Sequence, residues 1–237
     1  MTAADVPAAR SDAAAPASRA RSLALSAVAG VSAVLVVLGA AIALFFNPVW
    51  VAFEQGRSAV DLWTGWDWAT VRAVTDSVVM EVFLGPGTFA QAVGGIPVFT
   101  AAEAGHMADV RRVVLAFGVV VLAGLIALVA AWVVDRRRIA FWRGVTLGMS
   151  ILAVAVVAVG GFLALFFDVA FEVFHRIFFA AGSYTFDPRT DRLVQLFPEA
   201  FWTETSIVLA IVLLAMAVAI ALVARARWRA AVRRTAA

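Results

Sequence analysis

The sequence predicts an all-α integral membrane protein with four transmembrane helices and two extracytoplasmic loop regions that form a small outer subdomain. Of its 237 residues, 64% are hydrophobic, and the mean hydropathy is +0.96; ordinary soluble domains are about 45–50% apolar. Four runs without a charged residue are long enough to cross a bilayer, which takes about 20 helical residues. These runs are residues 23–46, 113–134, 145–167 and 207–224. Too little polar chain remains to cover them as buried helices of a soluble core.

The first apolar run predicts a retained membrane anchor and not a cleaved signal peptide. It is longer than the roughly 7–15 apolar residues of a signal peptide, and the following FFNPVW lacks a small-x-small cleavage pattern. The preceding residues 1–21, rich in Ala, Ser, Pro and Asp, predict a disordered cytoplasmic tail. Residues 22–224 then form the four-span membrane domain.

The distribution of arginine predicts the orientation of the chain. All 19 basic residues are Arg, and the two termini with the turn between the second and third spans hold 12 of them against three acidic residues, a net charge of +9. Loops 47–112 and 168–206 hold 7 Arg against 13 acidic residues, a net charge of −6. Positive residues favour the cytoplasmic side, so we expect both termini, including the basic tail 225–237, inside and both loops outside. This topology explains the isoelectric point of 10.8 without nucleic-acid binding.

The first of only two histidines precedes the second span. Thr100 and Glu103 have the spacing of a capping box, which predicts a helix that begins at Thr100 and runs into the span without a breaker. Glu103, His106 and Asp109 recur at three-residue steps and therefore share a face of that helix. At 1.5 Å per residue, His106 lies about 10 Å above the hydrocarbon edge.

The second histidine has the mirror position after the third span. The chain continues as DVAFEVFHRIFF, with no helix breaker, so the same helix is predicted to extend through it. Asp168, Glu172 and His175 share a face, and Glu172 is spaced for an ion pair with Arg176. His175 lies about 12 Å above the same membrane edge. We expect the two histidines to form a functional pair whose rings the neighbouring carboxylates orient.

Other interpretations of the histidines remain open at this point. A histidine next to a membrane span can simply contact lipid headgroups. A zinc site is also compatible with His and carboxylate side chains, although HExxH and HxH spacings are absent and each helix offers one His. We expect no metal and no cofactor. The absence of cysteine excludes a thiol nucleophile.

Two long motifs resemble a known family. FTAAEAGHMADVRRV and FEVFHRIFFAAGSYTFDPRTDRLVQLFPEAFW are similar to the signature segments of the lipoprotein intramolecular transacylase family of bacterial membrane proteins. The resemblance runs from the first membrane helix to the last. It assigns motif positions to Glu103, His106, Met107, Asp109, Phe174, His175, Phe178, Phe179, Asp187, Pro188, Asp191 and Pro198. The chain departs from the motif where an Asn-Asp pair followed by Trp is expected, with Ala181-Gly182 followed by Tyr184.

The resemblance implies a multi-pass acyltransferase of the bacterial cytoplasmic membrane with its active site at the extracytoplasmic face. Its substrate would be a diacylated lipoprotein, with membrane lipids as further partners. The sn-2 acyl chain would move from the glyceryl ester to the α-amine of the same N-terminal cysteine and give an N-acylated lyso-form lipoprotein. No covalent enzyme intermediate and no cofactor are required.

The residues suit this chemistry. An α-amine has a pKa near 8, so aminolysis near pH 7 needs a base, which histidine supplies. The second histidine, Arg176 or backbone N–H groups can stabilise the oxyanion and protonate the leaving oxygen. His175 is the preferred base because Asp168 and Glu172 lie on its face. A lipid or peptide hydrolase with the same histidines, or a non-catalytic envelope assembly protein, is the alternative.

The aromatic residues of the outer loops suggest how a lipid is held. Trp66 lies in the cluster DLWTGWDWATV, and Phe178 and Phe179 follow His175. We expect these three residues to line the substrate site, although aromatic clusters also anchor proteins at the bilayer interface. The segments on which Asp187 and Asp191 lie are expected to support the site.

Overall fold

The computed structural model describes residues 14–236, and four of its helices are long and apolar enough to cross a membrane. The helices and strands are α1 (Ala14–Phe45), α2 (Pro48–Arg57), α3 (Val60–Thr64), α4 (Trp68–Phe83), β1 (Ala92–Val93), β2 (Ile96–Pro97), α5 (Ala101–Val134), α6 (Ile139–Leu165), α7 (Phe167–Phe178), α8 (Arg192–Leu196) and α9 (Glu199–Ala236). The candidate spans are α1 from Ser18, α5, α6 and α9. The predicted all-α membrane fold is confirmed, with a two-residue antiparallel hairpin as its β-structure among the described residues.

The predicted disordered tail falls partly outside the described residues. Residues 1–13 are not among them, whereas residues 14–21 form the first turns of α1. The disordered tail stays a prediction. Ala and Arg, which are frequent in residues 14–21, are good helix formers, so the helix of the first span continues upstream.

The membrane helices pack through small residues. Gly144 and Gly148 of α6 face Ser26 and Gly30 of α1 so closely that a Cβ atom on either α6 glycine would collide with the α1 backbone. The Ser26 Oγ also donates a hydrogen bond to the carbonyl oxygen of Ala140, at 2.8 Å. Two small residues spaced four apart on each helix are the usual solution for close helix contact in a bilayer. These small residues therefore let α1 and α6 approach each other closely near the start of α6.

Besides the hydrophobic core among α1, α5, α6 and α9, the protein has a second hydrophobic core. Its buried residues come from α3, α4, the segment before α5, the first turns of α5, and α8: Val60, Val71, Val74, Val78, Val82, Phe89, Val98, Phe99, Met107, Leu193 and Leu196. Arg111 on α5 ties this core to the membrane helix, because its guanidinium donates to the carbonyl oxygens of Val82 and Gly85 at 2.9 and 2.8 Å. The start of α5 thus belongs both to a membrane helix and to the second core.

The third membrane helix ends earlier than predicted. A single helix through His175 is wrong, because α6 stops at Leu165 and Phe166 has φ −139° and ψ 50°, outside the helical region. No Pro or Gly marks this break. The physical signal is the amphipathic pattern of α7, whose charged residues recur on one side, as in helices that lie along a membrane surface. The second histidine therefore projects from a separate short helix.

An ion cluster joins α2 to the start of α9. The Nε of Arg57 lies 2.6 Å from the Glu204 Oε2 and 3.9 Å from the Glu54 Oε1. Glu54 is only 1% exposed. The pKa of Glu54 is raised from 4.5 to about 7, chiefly by burial and also by the hydrogen bond and negative charge of Glu204, whereas the positive charge of Arg57 lowers it by less.

This burial predicts a pH-dependent stability. Between pH 4.5 and 7 the folded protein binds a proton at Glu54 more tightly than the unfolded chain does, so the free energy of unfolding should fall as pH rises through that window. In Glu54→Gln, the side chain cannot ionise. We expect the loss of thermal stability between pH 5 and pH 8, measured in detergent, to be smaller in this variant than in the natural protein.

The matched control is Glu199→Gln, at an exposed carboxylate of α9. It should leave the pH dependence unchanged. Parallel profiles for the natural protein and Glu54→Gln would show that Glu54 does not carry this pH dependence.

Candidate active site

The two histidines of the chain meet. His106 lies in the second turn of α5 and His175 in the last turn of α7. Their ring centroids are 6.0 Å apart with 22° between the ring planes, and each residue is only 7% exposed. Two separate helices thus bring the only imidazole groups into one buried pair.

The tautomer of His175 follows from its hydrogen bond. Its Nδ1 lies 2.8 Å from the carbonyl oxygen of Phe171, one turn earlier on α7. A carbonyl oxygen only accepts, so Nδ1 must carry the proton. In the neutral ring, Nε2 then carries a free lone pair and is the atom that can act as a general base. The ring centroid of Phe171 is 4.0 Å from that of His175 and limits the movement of the imidazole.

His106 has an unused polar atom. Within the part of the chain that the structure describes, its Nδ1 is buried and has no hydrogen-bond partner. Leaving a buried polar atom unsatisfied costs about 1–3 kcal/mol. The rings of Phe179 and Phe186 pack beside it, at centroid distances of 4.8 and 5.6 Å. This nitrogen is therefore available for a bound molecule.

The Glu103 carboxylate accepts hydrogen bonds from two backbone N–H groups and does not bond to either histidine. Its Oε2 accepts from the Thr100 N–H at 2.7 Å, and the Thr100 hydroxyl accepts from the Glu103 N–H, so the predicted capping box is confirmed. Its Oε1 accepts from the Leu193 N–H, also at 2.7 Å. Glu103 thus joins the start of α5 to the start of α8, one turn before His106.

The predicted ion pair on α7 is confirmed and extends to a tyrosine. The Arg176 Nε donates to the Glu172 Oε1 at 2.7 Å, and the Tyr184 hydroxyl donates to the same oxygen at 3.3 Å. The bond from Arg176 lowers the pKa of Glu172, which is therefore ionised near neutral pH. The Tyr184 ring lies 5.0 Å from the ring of His175. Tyr184 therefore links the two residues: its hydroxyl bonds to Glu172 and its ring packs beside His175.

The remaining carboxylates make their contacts elsewhere. Asp187 accepts from the Arg189 guanidinium, whose hydrogen bonds lower the pKa of Asp187 to about 2. Asp191 accepts from the backbone N–H of Asp187 at 2.7 Å and closes a turn before α8. Asp109 pairs with an arginine three residues later on α5, and Asp168 lies exposed in the first turn of α7.

Of the three aromatic residues expected at the substrate site, one contacts the histidines. Phe179 lies 4.8 Å from His106 and 5.4 Å from His175, between centroids. Phe178 packs against Phe174 and is 48% exposed. Trp66 packs against the second core, under the guanidinium of Arg192 at 4.8 Å.

Sequence reasoning missed three residues of the site. Phe171, Tyr184 and Phe186 all contact a histidine ring. Phe171 could have been found, because it lies four residues before His175 on the same helix. Tyr184 is the only tyrosine of the chain, but its contact depends on how the segment after α7 folds back.

Residues 14–236 contain no group of three or more His, Asp or Glu side chains placed to hold a metal ion. The chain has no cysteine. A metal-free reaction stays a prediction.

A family model and solved structures of known proteins both match this chain and carry the same family description. The model of the family described as "Lipoprotein intramolecular transacylase Lit" matches residues 27–202, which is more than half of the chain. The solved structure of the membrane integral lipoprotein intramolecular transacylase Lit from Bacillus cereus superposes with a TM-score of 0.73 at 15% identity, over 92% of this chain and 98% of that chain. No curated protein sequence matches.

Two variants of the Bacillus cereus protein, with one histidine replaced by arginine or by alanine, superpose with a TM-score of 0.71 at 14% identity. They cover 94% of this chain and 96% and 98% of their own chains, respectively. At such identities the likeness is one of fold.

The position of Glu103 predicts a structural role that stability measurements can detect. In Glu103→Gln, an NH₂ group replaces one of the two acceptor oxygens, so one buried backbone N–H loses its partner, at a cost of about 1–3 kcal/mol. We expect a lower midpoint of thermal unfolding in detergent. Glu199→Gln, at an exposed carboxylate, should behave like the natural protein; an equally unaffected Glu103→Gln would show that these two bonds do not hold the fold.

Proposed function

Because the chain belongs to the lipoprotein intramolecular transacylase family, we propose that this integral membrane protein acylates the N-terminal cysteine of bacterial lipoproteins. The substrate is a diacylated lipoprotein. The sn-2 acyl chain moves from its glyceryl ester to the α-amine of the same cysteine, and the product is an N-acylated lyso-form lipoprotein. The observation that carries the proposal is the buried pair formed by His106 and His175.

The reaction needs proton transfer but no further reagent. The amine nitrogen attacks the ester carbonyl carbon, a C–N bond forms, the C–O bond to the glyceryl group breaks, and the proton of the amine ends on the glyceryl oxygen. Both reacting groups belong to one molecule, so the protein has to orient them and supply an acid and a base. A pair of imidazole rings can do both.

The geometry favours His175 as the base. The Phe171 carbonyl holds the proton on Nδ1, which leaves Nε2 free to take the proton of the attacking amine. His106 faces the developing charge with its unpartnered Nδ1, from which it can donate a hydrogen bond to the oxyanion. The proton that His175 has taken from the amine is then delivered to the glyceryl oxygen as the C–O bond breaks. Glu103 and Glu172 position the pair without contacting the reacting atoms. Glu103 does so through its hydrogen bond to the backbone of α8, and Glu172 through its hydrogen bond with Tyr184.

Burial favours transfer over hydrolysis. Both histidines are 7% exposed and lie among aromatic rings, so water has poor access to the base. Excluding water protects an acyl group until the tethered amine reaches it. The same pair in an open cleft would suit a hydrolase better.

The orientation that we propose places the pair at the extracytoplasmic face. His106 lies near the start of α5, and the basic turn that begins with Arg136 follows the end of the same helix, about 45 Å away at 1.5 Å per residue. The arginines favour the cytoplasm for that turn and for both termini. The histidines then lie on the side where lipoproteins are exposed after export.

Single cysteines test this orientation, because the natural chain contains none. Ala102→Cys and Ala181→Cys, both at exposed positions near the histidines, should react with a membrane-impermeant maleimide in intact cells. Arg136→Cys, equally exposed in the basic turn, should react only after the membrane is permeabilised. Labelling of the Arg136 site alone in intact cells would place the histidines in the cytoplasm.

Replacing the histidines tests the proposed chemistry. His106→Ala, His175→Ala and the double variant should each lose activity on the order of 10²-fold or more, by similar amounts, because members of one catalytic unit are not additive. His175→Asn keeps a donor for the Phe171 carbonyl but has no base, so it should be as inactive as His175→Ala. The assay follows loss of the O-acyl chain and gain of the N-acyl amide on a diacylated lipopeptide in detergent, with protein amount and size-exclusion profile matched.

Two results would contradict the assignment. N-acylation near the natural rate in either single variant would remove that histidine from the chemistry. Loss of activity on chelation, restored by zinc, would replace the metal-free mechanism with a metal site.

A further inference from the structure

The segment that follows α7 folds back over the histidine pair. Phe179 contacts both rings, Tyr184 contacts His175, and Phe186 contacts His106. The reversal occurs at Gly182, whose φ of 82° favours glycine. We call residues 179–186 the aromatic cover. It places one side of the site under aromatic rings supplied by a loop, whereas the other side rests on helices.

The Tyr184 hydroxyl is the side-chain anchor of this cover. A side-chain hydrogen bond joins this cover to α7, from the Tyr184 hydroxyl to the Glu172 Oε1 at 3.3 Å, beside the Arg176 guanidinium. Arg176 holds that carboxylate in place. The Ser183 hydroxyl, next to Tyr184, donates instead within the cover, to the Ala180 carbonyl at 2.9 Å.

A transacylase at a membrane surface has to choose between two nucleophiles. If the base deprotonates water instead of the amine, the water oxygen bonds to the ester carbonyl carbon, the C–O bond to the glyceryl group breaks, and the glyceryl oxygen takes the proton. The products are a free fatty acid and a lyso-lipopeptide with an unmodified amine. Both reactions use the same base and the same oxyanion donor, so the access of water to the base decides whether the ester is hydrolysed or the amine is acylated.

We propose that Tyr184 is a positioning residue that selects the amine over water in the transacylation proposed above. Its ring shields His175 on the side that the cover closes, and its hydroxyl keeps the cover attached to α7 through Glu172. Without the anchor the cover opens more often, and water reaches the Nε2 of His175. The tyrosine need not touch the reacting atoms to have this effect.

Tyr184→Phe tests the anchor without removing the ring. The purified full-length variant is incubated with a diacylated lipopeptide in heavy-oxygen water, and mass spectrometry measures free fatty acid and N-acyl product in the same sample. We expect the ratio of labelled fatty acid to N-acyl product to rise about threefold to tenfold, which corresponds to the net contribution of one hydrogen bond. Ser183→Ala, which loses a neighbouring hydroxyl bond inside the cover, should keep the natural ratio.

Glu172→Ala removes the acceptor of the same bond and should shift the ratio in the same direction. The double variant should shift it no further than the larger single effect, because both changes break one interaction. This arm also serves if Tyr184→Phe proves unstable.

The outcomes separate the two proposals. An unchanged ratio in Tyr184→Phe and Glu172→Ala, with N-acyl product formed by the natural protein, overturns the selection role and leaves the proposed function standing. Equal losses of both products would likewise assign Tyr184 a merely structural role. Absence of N-acyl product from the natural protein overturns the proposed function itself.

Discussion

The Glu103 carboxylate is the contact on which the arrangement of the site depends. It is 1% exposed and accepts hydrogen bonds from the backbone at the start of α5 and at the start of α8. A buried carboxylate is costly unless both oxygens are satisfied, and here two backbone N–H groups satisfy them. His106 follows one turn later, so the bond that begins the membrane helix also sets the position of its imidazole. The second core packs around the same junction.

The histidine pair combines two helices of different kinds. His106 belongs to a long helix that continues into the membrane, and His175 to a short amphipathic helix that breaks away from the span before it. The break brings the second ring back over the first. Aromatic side chains contact both rings, and each histidine is only 7% exposed, so the site offers few polar atoms. Two of these polar atoms carry the chemistry that we propose: the Nε2 of His175, with its lone pair, and the unpartnered Nδ1 of His106.

The sequence predicts the parts of this structure that local physics decides. Charge-free runs of sufficient length predict the spans, and Thr100 with Glu103 predicts the start of α5. The break at Phe166 was missed because no Pro or Gly marks it; only the change to an amphipathic pattern in α7 does. The partner of His175 was also missed: spacing offered Glu172, but the ring bonds to the Phe171 carbonyl. Tyr184 reaches His175 only through the fold of the segment after α7, which periodicity does not describe.

The central claim is that one buried pair of histidines moves an acyl chain within a single lipopeptide molecule. A crossover measurement tests it most directly. Two diacylated lipopeptides that differ in peptide mass, one of them with deuterated acyl chains, are mixed with the purified protein and the N-acylated products are identified by mass spectrometry. We expect each peptide to carry only its own acyl chain on the α-amine. Crossed products in the proportion expected for random exchange, or no N-acylated product at all, would contradict the claim.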